Sequence, residues 1–178
     1  MKTALIACAA ALVAVACGNN ATKSGISSAT STPSPAAGAA IQKCENRTLP
    51  KPAAQTDTKT KPTVTVPDGA PPCKLVIQDI KIGTGAEANP SANVTVQYVG
   101  VSWSTKAQFD SSWDRGAQPV SFPLGQVIQG WQQGIPGMKE GGRRELIIPP
   151  DLGYGQSGGP GIAPGETLVF IVDLVKTG

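Results

Sequence analysis

Three features of this chain are suited to binding chemistry: a tryptophan in a short apolar segment, a tyrosine in a glycine-rich loop, and an isoleucine later in the same loop. They are Trp131, Tyr154 and Ile162, and Gly155 and Gly161 flank the last two. The sequence contains no histidine, which excludes Ser-His and Cys-His nucleophiles and histidine-bound metals. Any catalysis must rely on shape, apolar surface and hydrogen bonds, so we expect no metal and no cofactor.

Nine short motifs around these residues occur in a fixed order. They are Val96-Gln97-Tyr98-Val99-Gly100, Phe109-Asp110-Ser111-Ser112, the run 119–125, Val127-Ile128-Gln129-Gly130-Trp131, Gly134-Ile135-Pro136-Gly137-Met138, Gly141-Gly142-Arg143-Arg144, Ile148-Pro149-Pro150, Tyr154-Gly155 and Thr167-Leu168-Val169-Phe170. In order and spacing they resemble the FKBP-type peptidyl-prolyl cis-trans isomerases. The resemblance covers residues 74–178.

Such an enzyme catalyses rotation about an X-Pro bond, which amide resonance opposes with a barrier of about 18–20 kcal/mol. A twisted amide has lost resonance and much of its dipole, so an apolar site favours it over the planar, solvated ground state. The resemblance therefore implies a monomer that binds Pro-containing polypeptides, and also tacrolimus or rapamycin. The alternative is a non-catalytic module that holds a Pro-containing peptide without isomerising it.

The resemblance also assigns roles to individual residues. The implied catalytic residues are Tyr98, Asp110, Trp131 and Tyr154, with Trp131 beneath the proline ring and the Tyr154 hydroxyl as a hydrogen-bond donor. The implied substrate-binding residues, with the Ile128 N–H as a second donor and Ile162 at the rim, are Phe109, Val120, Val127, Ile128, Ile162 and Phe170.

Simpler readings stay open for several of these residues. Phe109, Val127 and Phe170 suit the core of almost any fold, Tyr98 could simply end a strand, and Asp110 suits a turn. Asp114 and Arg115, a few residues later, read as a surface ion pair of little energetic weight.

Three positions depart from the family pattern. Val120 stands where well-known members have an aromatic residue, Gly159 where many have histidine, and Ala163 where a second isoleucine is common. These changes predict a smaller and more open rim, with altered affinity and substrate preference. Trp103 and Trp113 match no pocket position, and we assign them no role beyond an edge or partner contact.

The elements that must position these residues follow from periodicity. Alternating residues predict strands over 74–82, 93–102, 143–148 and 167–175, with two short strands around Phe109 and Phe122. Helical spacing predicts one helix over 126–134, with Val127, Ile128 and Trp131 on one face. Residues 149–165 are rich in glycine and proline and predict a long functional loop. The predicted fold is α+β, an antiparallel curved sheet wrapped over one short helix and preceded by a disordered tail.

The N-terminus predicts export. Residues 1–16 have Lys2 followed by an apolar run, which is typical of a signal peptide. Residues 14–17 resemble a bacterial lipobox, which implies lipidation of Cys17 and an anchor at the outer face of the cytoplasmic membrane; secretion without lipid is the alternative. Residues 18–73 contain no aromatic residue and are rich in Ala, Thr, Ser, Pro and Lys. This composition predicts a lipid-anchored disordered linker over 17–73 and an isomerase domain over 74–178.

Two cysteines in the linker favour one disulfide. Once Cys8 is removed and Cys17 lipidated, Cys44 and Cys73 remain in an oxidising compartment. Pairing them closes a loop of about 30 residues, which the chain-entropy model credits with roughly 3–4 kcal/mol; two free thiols are the alternative. The linker is basic, which favours an anionic surface but fits a plain spacer equally well, and no basic patch with aromatic residues indicates nucleic-acid binding.

These features together predict an exported, membrane-tethered prolyl isomerase that assists the folding of other exported proteins. A solute-capturing lipoprotein is disfavoured by the small size of the domain. Because the linker is expected to be disordered, a chain that starts near Lys74 is predicted to keep full activity.

Overall fold

The computed structural model describes residues 43–178. The predicted signal peptide, residues 1–16, and the predicted lipidation site, Cys17, lie outside the described residues. Among residues 43–178, no helix has the length and apolar character needed to cross a membrane. The same residues hold no cluster of three or more His, Cys, Asp or Glu side chains placed to bind a metal ion.

The fold is built on one antiparallel sheet of six strands. The order across the sheet is β1-β5-β6-β2-β3, and β4 also pairs with β2. The strands are β1 (Val76–Lys81), β2 (Asn93–Ser102), β3 (Gln108–Ser111), β4 (Val120–Pro123), β5 (Arg143–Ile148) and β6 (Leu168–Thr177). The predicted α+β fold with a curved antiparallel sheet is confirmed.

The single α-helix within residues 43–178, α1 (Gln129–Gly134), lies against one face of this sheet. Two glycines allow the close approach: a Cβ on Gly130 would lie 2.4 Å from Ile148 Cγ2, and one on Gly134 would lie 2.6 Å from Leu146 Cδ2. The sixteen buried residues between helix and sheet form the main core, which includes Trp131, Tyr98 and Phe170.

The helix is shorter than predicted. It was expected to begin at residue 126, but residues 124–126 form a 3-10 turn and the next two residues are extended, with ψ of 174° at Val127 and 149° at Ile128. Both side chains are β-branched, and restricted χ1 freedom makes them poor residues for a helix N-terminus. Val127 and Ile128 therefore precede the helix instead of sharing a face of it with Trp131.

The second face of the sheet is also covered. Residues 43–73, called the strap from here on, lie over it, and the strap's Leu49 and Val66 are buried in a second apolar cluster with five residues that follow the strap in the chain. Those five residues are Val99, Val101, Trp103, Ile147 and Val169. Consecutive residues of β5 are all buried, as expected for a sheet covered on both faces.

The prediction of a disordered linker is therefore wrong over residues 43–73. Its composition was read correctly as poor in large apolar groups, but the apolar surface is supplied by the sheet. The strap adds only a few apolar side chains, and the Cys44–Cys73 disulfide, with Cα atoms 4.9 Å apart, closes it into a loop. A closed loop loses less chain entropy on folding, so it needs fewer apolar contacts to remain ordered.

Candidate active site

A pocket of about 390 Å³ opens between β2, β3, β6 and α1. Its lining is mainly aromatic and aliphatic, and consists of Tyr98, Phe109, Asp110, Phe122, Gln126, Val127, Ile128, Trp131, Tyr154 and Phe170. Its size and apolar walls suit one small ring or a short extended peptide segment.

Trp131 lies at the centre of the aromatic cluster. Three rings meet it edge to face: Tyr98 with centroids 5.4 Å apart, Phe170 at 5.4 Å and Phe122 at 5.9 Å. The side chain is nearly fully buried. Its Nε1 has no hydrogen-bond partner among the described residues. Edge-to-face contacts on three sides fix the orientation of the indole.

A glycine in β2 makes room for one wall of the pocket. Gly100 pairs with Phe170 of β6, and a Cβ at this position would come within 2.7 Å of both Phe109 Cζ and Phe170 Cε1. The two phenylalanine rings meet edge to face at 5.5 Å in the space that this leaves. Any larger residue at Gly100 would displace these rings.

The polar side of the pocket is a three-residue network. The Tyr98 hydroxyl donates to Asp110 Oδ2 at 2.6 Å, and Arg115 Nη2 donates to the Tyr98 oxygen at 2.7 Å. Arg115 also forms an ion pair with Asp110, and its guanidinium lies 5.6 Å from the centroid of the Tyr98 ring. The Ser111 N–H donates to Asp110 Oδ1 at 2.8 Å.

These contacts set the charge of each group. Burial acts to raise the pKa of Asp110, but hydrogen bonds from Tyr98, Arg115 and Ser111 outweigh it, so the pKa lies below its ordinary value. Burial and the hydrogen bond to Asp110 raise the pKa of Tyr98. At neutral pH Asp110 is thus a carboxylate held by three donors, and Tyr98 is a neutral phenol.

Besides the buried Trp131 Nε1, two hydrogen-bond donors at the pocket, the Tyr154 hydroxyl and the Ile128 N–H, have no partner among the described residues. Tyr154 is 41% exposed, and its hydroxyl contacts no other polar group there. The Ile128 N–H likewise donates to no group in this part of the chain, although the Ile128 carbonyl accepts from the N–H groups of Trp131 and Gln132. Gly159 packs against the Tyr154 ring, where a Cβ would lie 3.1 Å from Cδ1.

Comparison with known proteins identifies the family. Residues 85–175 match the model of the FKBP-type peptidyl-prolyl cis-trans isomerases. The chain belongs to this family. A probable FK506-binding protein of Corynebacterium glutamicum is 56% identical over 116 residues, which cover 65% of this chain and 98% of that protein. An FK506-binding protein of Streptomyces anulatus is also 56% identical, over 65% of this chain and 95% of its own length.

Solved FKBP-type structures share the fold. The crystal structure of FkpA from Escherichia coli is 45% identical with a TM-score of 0.54, and the match covers 58% of this chain and 47% of that one. The crystal structure of AtFKBP13 is 36% identical with a TM-score of 0.53 over 58% of this chain and 93% of that one.

Eight of the ten pocket residues implied by the FKBP resemblance line the observed pocket, and two do not. Val120 is half-buried on β4 and pairs with Val96. The aromatic side chain of this strand that contacts Trp131 is Phe122, two residues further along. Ile162 is buried in the main core, because its N–H and carbonyl pair with Gly159 and turn this segment of the loop inward.

The sequence also left three residues of this FKBP site unassigned. Phe122 and Gln126 line the pocket, and the two-residue period of β4 would have placed Phe122 on the same face as Val120. Arg115 was read as the partner of Asp114, yet it binds Asp110 and Tyr98, while Asp114 pairs with Lys61 of the strap. No spacing rule predicts that exchange of partners, since it depends on the path of residues 112–118.

Proposed function

We propose that this FKBP-type chain isomerises X-Pro bonds of exported polypeptides by binding the twisted amide in an apolar pocket. The observation that carries the proposal is the pocket itself. Aromatic rings surround Trp131, and the only carboxylate in the lining, Asp110, is held by Tyr98 and Arg115. Such a site has no free acid or base, so it is suited to a reaction that needs none.

The proposed mechanism assigns each group a task. The proline ring packs on Trp131 beside Phe109 and Phe170, and this removes water from the amide. The Tyr154 hydroxyl and the Ile128 N–H, both free to donate, bind carbonyl oxygens of the peptide. Asp110 places a fixed negative charge beside the rotating bond. A 10⁵-fold acceleration requires about 7 kcal/mol of preferential binding to the twisted state.

The same pocket is proposed to bind FK506-type ligands. Two relatives at 56% identity bear the name FK506-binding protein. An apolar ring on Trp131 and a carbonyl on the Ile128 N–H would use the groups that the peptide uses. Such ligands should therefore compete with the peptide for one site.

We further propose that the enzyme is a monomer exported as a lipoprotein anchored through Cys17. The supporting observations are the apolar N-terminal run that ends at Cys17 and the Cys44–Cys73 disulfide, a bond typical of oxidising compartments. Membrane fractionation of cells tests the anchor: the wild-type protein should be found with membranes and a Cys17→Ser variant should not. Unlipidated wild-type protein in the medium would contradict it.

Exchange NMR on a short X-Pro peptide tests the isomerase activity. The full chain should accelerate cis–trans exchange, and Tyr154→Phe should lower turnover about tenfold, the size expected from loss of one hydrogen bond. Stability should change little, because only a hydroxyl is removed. Ser157→Ala is the matched control, since it removes an exposed hydroxyl from the same loop outside the pocket. Binding of the peptide without faster exchange would instead identify a non-catalytic peptide-binding module.

A further inference from the structure

Residues of the strap reach the segment that holds the polar side of the pocket. Lys61 Nζ lies 2.7 Å and 2.9 Å from the two carboxylate oxygens of Asp114, and Gln108 Nε2 donates to Oδ2 of the same side chain at 2.7 Å. Trp113 packs against the second apolar cluster, as does Val64 of the strap. The two residues that precede Arg115 are thus both in contact with the strap or with the cluster that it covers.

The strap is itself held at both ends. Beside the disulfide, the Glu45 N–H donates to the Pro71 carbonyl at 2.8 Å, and Arg47 Nη2 donates to the Asp68 carbonyl at 2.7 Å. Trp103 Nε1 donates to the Gly69 carbonyl at 3.0 Å.

The middle of the strap is fixed to the sheet by one buried arginine. Arg143 donates to the carbonyls of Gln55 and Thr60, each at 2.9 Å, while it pairs with Asp173. Thr60 immediately precedes Lys61. The position of Lys61 is therefore determined by the body of the fold and not by its own side chain alone.

The segment 112–117 is attached to β2 on its other side. Tyr98 N–H donates to Ser112 Oγ at 2.9 Å, and Gln97 Nε2 donates to the Ala117 carbonyl at 2.5 Å. Between these two points the chain forms a 3-10 turn over Trp113–Arg115, and Gly116 and Ala117 have positive φ. Lys61 contacts this turn at Asp114, its middle residue.

We propose that the strap is a positioning element of the isomerase: it holds the Trp113–Arg115 turn from outside, so that Arg115 keeps Asp110 and Tyr98 in the orientation used in catalysis. Asp110 and Tyr98 line the pocket, whereas Lys61 lies outside it and acts only through Asp114 and Arg115. This proposal rests on the proposed function, and it reverses the expectation that a chain starting near Lys74 keeps full activity.

The test uses the full chain and separates positioning from stability. Lys61→Met should lower kcat for an X-Pro peptide about threefold, the size expected from loss of one exposed ion pair, with KM nearly unchanged. The side-chain NMR signals of Arg115 and the Tyr98 ring should shift. Lys59→Met is the matched control, because Lys59 is exposed on the same strap and its side chain makes no described contact; it should change neither kcat nor the signals.

Two further variants complete the test. The charge exchange Lys61→Asp with Asp114→Lys should restore most of the lost kcat. Val66→Asp places a carboxylate in the second apolar cluster, which should detach the strap and lower kcat about tenfold, since small misplacements of catalytic groups have effects of this order or larger.

The proposal is overturned if Lys61→Met leaves kcat and the Arg115 and Tyr98 signals unchanged. The Lys61→Met result is sufficient for this test even if Val66→Asp fails to fold. A lower unfolding temperature with unchanged kcat and signals would also overturn it, because the strap would then only stabilise. If the wild-type chain shows no isomerase activity, the proposed function fails, and the NMR signals still decide whether the strap holds the turn.

Discussion

The two faces of the sheet are built from neighbouring residues but by different means. Along β2, Tyr98 faces the helix and the pocket, while Val99 and Val101 face the strap. The pocket face is closed mainly by aromatic rings that pack on one another, with the Arg115–Asp110 ion pair on its polar side. The strap face is closed by a thin segment with few apolar groups, a disulfide and a buried ion pair. The comparison shows that apolar density concentrates where a substrate must bind, whereas a covalent link and backbone carbonyls suffice where only coverage is needed.

The largest expected effect on stability comes from replacing the buried arginine of the strap face, Arg143. Arg143→Met should destabilise the fold by about 3–5 kcal/mol, because Asp173 would remain buried without a partner. Thermal or denaturant unfolding of the full chain measures this. The double variant Arg143→Met with Asp173→Leu is the control and should recover much of the loss, since both charges are then removed. An equally large loss in the double variant would mean that the carbonyl contacts to Gln55 and Thr60, and not the charge, hold the strap.

The Cys44–Cys73 disulfide should contribute somewhat less than Arg143 to the free energy of unfolding. Replacing Cys44 and Cys73 by alanine opens a loop with a sequence separation of 29 residues, and the chain-entropy model predicts a loss of about 3.6 kcal/mol. Unfolding midpoints of the variant and the oxidised wild-type chain give the difference. A loss near zero would show that the strap stays closed through its other contacts.

The sequence pattern alone predicts those elements whose structure depends on residues close together in the sequence. The strands at 93–102 and 143–148 have the predicted bounds, because the strand pattern and the turn residues that flank it are local in the sequence. The family resemblance predicts five of the six pocket aromatics, all but Phe122, and eight of the ten residues that it implies line the observed pocket.

The sequence-based predictions fail where contacts between residues far apart in the sequence determine the structure. The strap is ordered because the sheet supplies the apolar surface on which it packs. The composition of residues 43–73 alone cannot show that surface. Arg115 binds Asp110 because the path of residues 112–118 brings the two together. All six residues of 143–148 are buried, but Arg143, Arg144 and Glu145 interrupt the apolar run that would have indicated a sheet covered on both faces.

A smaller effect concerns a carboxylate on the strap face. Burial raises the pKa of Glu145 to about 7 from its ordinary value of 4.5. The folded state therefore holds a proton that the unfolded state has lost, so stability falls as pH rises from about 4.5 to 7 and is level above that range. The fall should be about 1–3 kcal/mol.

Unfolding measured at several pH values tests this. Glu145→Gln should remove the slope, whereas the matched change Glu87→Gln, at an exposed position, should leave it intact. A slope that survives in Glu145→Gln would assign it to another group.

The central claim is that the pocket face isomerises X-Pro bonds without transferring a proton. The most direct test is the pH dependence of kcat/KM of the full chain, measured by exchange NMR well below the unfolding temperature. Asp110 stays ionised and Tyr98 stays neutral between pH 5 and 8, because the pKa of Asp110 is lowered and that of Tyr98 is raised. The account predicts that kcat/KM stays constant within about twofold across that range. A bell-shaped profile, or a tenfold change within the range, would show that a titrating group takes part and would contradict the account.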